Sequence, residues 1–433
     1  MPSDASDRSL DLDFVRRQFP ALSEHHPEWA LMDNAGGSVV PRQVHRRISD
    51  YLERHMMQLG ASYPLSQRAG AQVQLGHRAA ERLVGAAEGE VVLGPSTTVN
   101  AALLSRALRP LWSDGDVVIV SELDHEANVG PWVRLGETGV EVQIWKLRPD
   151  TADLALDDLE AMIAALATRA TGQLRLVAMT HCANVVGRIH DIPAVAERVH
   201  AAGAQLCVDG VAYAPHRLVD VSSLGADYYL LSLYKVYGPH QGLLWGRREL
   251  LEAARGQNHY FIDEAQVPYK FEPGNVTHEL SAGLPGILDY LGAVDVHHQG
   301  AGEDDAEGAD ALPSRAALAR TFARFAAHEV ALAEALLDFL RAHPKVRVVG
   351  PETSDAELRV PTLAFTVEGR KASELPPLLD ARKIAIRWGH FYAERAIRAL
   401  GLEARDGIVR VSMVHYNTLA EVERLTAALD ELL

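Results

Sequence analysis

Only two cysteines, Cys182 and Cys207, occur in 433 residues, which excludes a disulfide framework and a cysteine-rich metal site. No metal site is expected. No apolar run reaches the roughly 20 residues needed to cross a bilayer. The opening MPSDASDRSLDLDF lacks the basic start and apolar core of a signal peptide. Positive charge is also short: 42 Lys and Arg against 58 Asp and Glu leave a net charge of -16. That balance argues against a nucleic-acid partner, which calls for a basic face. What remains is a chain with 48% hydrophobic and 23% charged residues, ordinary for a globular protein without a membrane partner. A cytoplasmic location is the simplest expectation. The length suits one large domain of about 250 residues and a smaller one.

From about residue 90 to 250, short apolar runs alternate with helix-period segments. The runs are VVIV (117–120), VEVQIW (140–145), LRLVAMT (174–180), AQLCV (204–208), YYLLSL (228–233) and GLLWG (242–246). Segments 155–168 and 191–202 have helical spacing. Continuously apolar strands alternating with helices predict an α/β architecture with a mostly parallel sheet covered on both faces. Functional groups in such sheets gather beyond the carboxyl ends of the strands. Upstream, Leu10 to Leu22 reads as a short amphipathic helix. Downstream, the acidic, Gly- and Ala-rich stretch 298–315 reads as an exposed connection. Beyond it a helical pattern (316–343), the runs VRVV (346–349) and TLAFTV (362–367), and helical segments 371–381, 393–400 and 418–432 suit a smaller α+β domain.

The strand ends carry the chemistry. AQLCVDG puts Asp209 just after a buried strand, where an unpaired carboxylate is costly. YYLLSLYKVYG puts Ser232 and Lys235 just after another. An amine and an acid at the mouth of one sheet suit pyridoxal 5′-phosphate (PLP), whose aldehyde takes the lysine and whose ring nitrogen takes the acid. A structural aspartate and a surface lysine would explain that pair equally well. The other strand ends add weight. VVLGPSTTVN opens a helix at Ser96 and Thr97 with hydroxyls and N–H groups suited to a phosphate, although an ordinary N-cap has the same look. SELDHEANVGPW offers His125, whose ring could lie on a flat cofactor. MTHCANVVG offers Asn184 as a neutral donor to a phenolic oxygen. Four consecutive strand ends each present a suitable polar group, and that coincidence favours a PLP site.

The segments LMDNAGGSVVP, GPSTT, DHEANVGPW, ANVVGRIHDI, Asp209 to Arg247, FEPGNVTHE, IRWGHFYA and IVRVSMVHYNT make the chain recognisable. It resembles the class V aminotransferase family of fold-type I PLP enzymes, in the cysteine desulfurase-like and selenocysteine lyase-like branch. The resemblance covers nearly the whole chain. It implies a PLP-dependent transferase-like fold: a mostly parallel seven-stranded sheet in a large domain (31–297), a small α+β C-terminal domain (316–433), and a segment 1–30 packing with the small domain. It further implies that Lys235 forms an imine with the cofactor, that Asp209 pairs with the pyridine nitrogen and that His125 stacks on the ring. By the same resemblance Asn184 would lie near the ring oxygen, while Ser96, Thr97 and Ser232 would contact the phosphate. Tyr234 stands before the lysine, where the family often has histidine. Thr277 and His278 would reach the cofactor of a neighbouring subunit, so a homodimer with active sites at the interface is implied. Arg410 and Arg387 match arginines near the carboxylate of an amino-acid substrate, a task suited to a bidentate fork. Asn34 and Tyr392 fall at substrate-binding positions.

The departures bear on the reaction. Tyr392 stands where a persulfide-carrying loop cysteine would be, and a phenol forms no persulfide. Ala212 replaces a glutamine or histidine frequent three residues after the aspartate. The expected reaction is β-elimination on an amino acid, of the C–S lyase type, without a loop cysteine. Transamination and epimerisation are the alternatives.

Overall fold

A computed structural model describes residues 9–299 and 311–433. Seven strands form the large sheet: β1 (Val91–Gly94), β2 (Val117–Ser121), β3 (Glu141–Trp145), β4 (Leu174–Thr180), β5 (Gln205–Asp209), β6 (Tyr228–Ser232) and β7 (Gly242–Gly246). Their order is β1-β7-β6-β5-β4-β2-β3. β7 runs antiparallel to both of its neighbours, and every other pairing is parallel. β2, β6 and β7 are buried along their whole length, which explains why they read as continuous apolar runs rather than as alternating ones. The strand order reverses between β2 and β4. Their carboxyl ends, with those of β5 and β6, therefore frame a crevice at a topological switch point.

The predicted strand runs agree with the observed ones to within a residue or two. The helix expected over Leu10 to Leu22 is shorter. It spans Leu12–Arg17 and gives way at Pro20, which has no N–H to donate, to a single wide turn at Ala21–His25. Segment 371–381 is likewise split, into Ala372–Glu374 and Pro376–Asp380, by paired prolines at 376 and 377. Residues 300–310 of the expected acidic connection lie outside the described residues. The long helix after it spans Arg315–Ala342 and is capped by Ser314, whose hydroxyl accepts from Ala317 N at 3.2 Å.

The C-terminal sheet has four antiparallel strands, β8 (Val346–Val349), β9 (Thr362–Val367), β10 (Arg387–Gly389) and β11 (Ile408–Ser412), ordered β10-β11-β9-β8. Leu336, Phe365, Val411, Leu425 and Leu429 pack a separate core between this sheet and its helices. The N-terminal segment touches both domains. Ala30–Leu31 pairs with Ile384–Ala385, and Arg16 bonds the Tyr416 carbonyl at 2.9 Å. Phe19 meanwhile lies edge-on to Tyr290 of the large domain with ring centroids 5.0 Å apart. No helix among the described residues is long and apolar enough to cross a membrane.

Candidate active site

At the switch point the strand-end residues converge on one cavity with about 470 Å³ of empty space. Ser96, Thr97, His125, Asn184, Asp209, Ser232, Tyr234 and Lys235 all line it. Lys235 follows β6 in a short turn and is only 7% exposed. Burial, helped by the nearby Arg410 charge, lowers its ammonium to about 8, although Asp209 and Asp33 oppose the shift. Asp209 ends β5 and accepts from Val211 N at 2.9 Å. Burial raises its carboxyl to about 6, against that hydrogen bond and the Lys235 charge.

His125 accepts from Ala127 N through Nδ1 at 3.0 Å, which places the proton of the neutral ring on Nε2. Burial, then repulsion by Lys235 and Arg410, lowers the ring to about 4, so it is neutral at physiological pH. At the far end, Ser96 caps the helix Thr97–Leu108 by accepting from Val99 N, and the Thr97 and Ser232 hydroxyls meet at 2.7 Å. β7 passes close beneath this turn at Gly242, where a Cβ would come within 2.3 Å of the Ser96 carbonyl carbon. Only glycine leaves the helix N-terminus its place beside the sheet. Tyr234 is stacked on His240 with ring centroids 4.6 Å apart.

The C-terminal domain meets the cavity wall at Asn184. Arg410, 2% exposed on β11, donates through Nη1 to the Asn184 carbonyl and through Nη2 to Asp33, each at 3.0 Å. Its Nε has no partner. The Phe391 ring covers the guanidinium at 3.8 Å. Burial lowers Arg410 to about 10 despite Asp33, and it stays charged. Arg387, its register partner on β10, is largely exposed and reaches Asp33 at 3.7 Å. The Asn184 amide differs from the expected donor role. Its Nδ2 is spent on the Phe391 carbonyl at 2.9 Å, because the small-domain loop brings that oxygen to it, and its Oδ1 is buried without a partner.

Phe391 and Tyr392 both have left-handed φ values, 51° and 58°, which are strained for aromatic residues. The strain is held by bonds to the large domain: besides Asn184, Glu126 N donates to the Tyr392 carbonyl at 2.7 Å. The Tyr392 ring sits 5.2 Å from that of His125.

Three sequence candidates lie elsewhere. Asn34 gives Nδ2 to the Leu31 and Ser412 carbonyls and to Asn417, and accepts from the Tyr416 hydroxyl, so its amide is committed within the protein. Thr277, exposed, and His278, half-buried, are outside this chain's cavity. Sequence reasoning passed over Asp33, which is adjacent to the selected Asn34 and pairs with Arg410. A polar pair directly after a buried strand was the available signal.

The aminotransferase class-V family pattern matches residues 30–307 and 315–425. The chain belongs to the class-V aminotransferase family. Its relatives include cysteine desulfurase-like and aminotransferase-like proteins. The aminotransferase-like protein FGM3 of Gibberella zeae is 36% identical over 99% of this chain and 100% of its own. The cysteine desulfurase-like protein ustD of Aspergillus flavus is 32% identical over 98% and 91%. A cysteine desulfurase from Thermococcus onnurineus NA1 shares the fold, with a TM-score of 0.82 at 22% identity over 100% and 99% of the two chains.

This class-V protein is accordingly a PLP-dependent enzyme, and its cavity fits the cofactor. A buried lysine amine brought near neutrality, a buried acid with a single N–H partner and a hydroxyl-lined helix N-terminus suit the cofactor's aldehyde, ring nitrogen and phosphate, and the buried Asn184 Oδ1 is left without a partner beside them. Among the described residues no group of three or more His, Cys, Asp or Glu side chains is placed to hold a metal ion.

Proposed function

We propose that this enzyme removes a leaving group from the β-carbon of an amino acid by β-elimination of the C–S lyase type, with no protein cysteine taking up the sulfur. The observation that carries the reading is Tyr392, 64% exposed beside His125 at the cavity mouth, where a persulfide-carrying cysteine would be needed. Neither thiol can take its place. Burial pushes Cys182 up to about 12 and Cys207 well above its ordinary value, so no thiolate is available at neutral pH. The sulfur would therefore leave as a free thiol, persulfide or hydrosulfide.

Bound in the cavity, PLP supplies an aldehyde for the substrate amine and an electron sink for charge developing at Cα. Lys235 would hold the cofactor and then, released by the substrate, take the Cα proton at Nζ, which its lowered proton affinity suits. Asp209 would hold a proton on the ring nitrogen, and neutral His125 would lie on the ring face. Ser96, Thr97 and Ser232 would bind the phosphate. Arg410, through its free Nε, and Arg387 would bind the substrate carboxylate. Elimination breaks Cα–H and Cβ–S; the proton passes to Lys235, the sulfur departs with the bonding pair, and water then gives pyruvate and ammonia. Thr277 and His278 would serve a second subunit's cofactor, making the enzyme a homodimer, and the acidic chain with two buried cysteines suits the cytoplasm.

The test is a product assay with L-cysteine, L-cystine and cysteine S-conjugates. Pyruvate and ammonia in equal amounts are expected. A keto acid without free ammonia, with the visible band passing to the amine form of the cofactor, would instead make this an aminotransferase. The 36% identity to an aminotransferase-like protein favours that second reading.

A further inference from the structure

One hydroxyl spans the turn that carries Lys235. Ser38 Oγ donates to the Tyr234 carbonyl at 3.1 Å and accepts from the Tyr237 N–H at 3.0 Å, so it holds the chain on both sides of the lysine. The Ser38 N–H donates to the same Tyr234 carbonyl, also at 3.1 Å. Within the turn, the Val236 and Gly238 N–H groups both close on the Leu233 carbonyl at 2.9 Å. Ser38 itself comes from the loop leading into the helix Arg42–Arg54.

Tyr237, two residues after the lysine, is fully buried and has a left-handed φ of 63°, strained for an aromatic residue. Its side chain is anchored at the far end. The hydroxyl donates to the Pro215 carbonyl at 2.6 Å. A carbonyl can only accept, so the one phenolic proton is spent there, and His415 Nδ1, 3.0 Å away, is the donor to Tyr237 Oη. Burial keeps that imidazole neutral, which leaves its Nε2 to accept from the Tyr290 hydroxyl at 2.5 Å. Pro215 lies in the loop after β5. The Tyr237 hydroxyl thus ties the turn of Lys235 to the loop that follows Asp209, and His415 ties both to the C-terminal domain.

We propose that Ser38 and Tyr237 are positioning residues for Lys235: they pin the main chain on either side of it so that Nζ meets the cofactor aldehyde in line. The proposal rests on Lys235 as the residue that takes that aldehyde. Condensation forms a C=N bond between Nζ and the aldehyde carbon, and the aldehyde oxygen leaves as water with both amine protons. Such an attack needs the reacting atoms about 3–3.5 Å apart, and a shift of about 1 Å can cost on the order of 10²-fold in rate. A lysine side chain is long and flexible, so the place of its main chain decides how often Nζ arrives correctly. Removing the Ser38 hydroxyl leaves the Tyr237 N–H and one bond of the Tyr234 carbonyl unmade, and the strained turn is free to relax.

Two ligands separate positioning from plain stability. PLP condenses with the lysine, whereas pyridoxamine 5′-phosphate has no aldehyde and reports only that the site is intact. In Ser38→Ala, stopped-flow absorbance should show PLP capture slowed about tenfold or more. Affinity for pyridoxamine 5′-phosphate, measured by equilibrium dialysis, should stay at the wild-type value. Ser38→Thr keeps the hydroxyl and should restore the rate. Capture at the wild-type rate in Ser38→Ala overturns the proposal, and so does a parallel loss of capture and of pyridoxamine 5′-phosphate affinity. Should Ser38→Ala fail to fold, Tyr237→Phe releases the same turn from Pro215 and His415, and must show the same split; a wild-type rate there counts against it. Lys235→Ala with an unaltered visible band would instead overturn the role of Lys235 itself, whatever the Ser38 variants do.

Discussion

Arg410 and Asp33 form an ion pair at 3.0 Å across the junction of the two domains, and the same carboxylate faces Arg387 at 3.7 Å. One acid thus balances two guanidiniums on neighbouring strands. With one N–H of Nη1 used by the Asn184 carbonyl and one of Nη2 by Asp33, Arg410 keeps Nε and further Nη hydrogens to offer a ligand. A substrate carboxylate arriving there would meet a charge already desolvated and oriented, which strengthens the contact.

Arg410→Ala should therefore raise KM for the amino acid strongly, by the equivalent of about 2–5 kcal/mol for a buried charge pair losing one partner. Arg387→Ala, at an exposed position, should cost less than about 1 kcal/mol. Steady-state kinetics on both variants checks the order; a larger effect at Arg387 would move the carboxylate site there.

Lys235→Ala should abolish turnover and the visible absorbance of lysine-bound cofactor. Spectra and product assays on the purified variant decide this, and full activity would remove Lys235 from the mechanism.

The rate at which apoenzyme takes up PLP should depend on pH through Lys235. The aldehyde reacts with the unprotonated amine, and burial with Arg410 repulsion lowers that group to about 8. The rate should climb about tenfold per pH unit below that value and level off above it. Stopped-flow absorbance follows it. A plateau displaced toward the ordinary lysine range would mean that the amine is better solvated than its burial indicates.

Ser232→Ala removes one of two hydroxyls that meet at 2.7 Å at the helix N-terminus, and leaves Thr97 and the main-chain donors in place. Cofactor affinity should fall by about 0.5–1.5 kcal/mol, the ordinary worth of one hydrogen bond. Equilibrium dialysis against PLP measures it. An unchanged affinity would place the phosphate elsewhere.

Much of this site was legible in the sequence because its parts are local. Lys235, Asp209, His125 and Asn184 each follow a continuous apolar run, and such runs mark buried strands whatever the rest of the chain does. The hydroxyls at Ser96 and Thr97 announce a helix start for the same reason. Asn34 shows the limit. Its position in LMDNAGG looked functional, yet its amide is consumed by Ser412, Asn417 and Tyr416, nearly 400 positions away in sequence. The adjacent Asp33 faces the arginines instead.

The sequence by itself determined the alternation of strands and helices, the family and the chemical groups at the strand ends, since these rest on periodicity and on residue identity. Tertiary structure alone decided which groups answer one another: Asp33 with Arg410, and Asn184 with the Phe391 carbonyl. Those relationships depend on distance through a dry interior, where a few ångströms set whether a carboxyl carries a charge. Residues far apart along the chain reach such distances only once both domains have folded against each other.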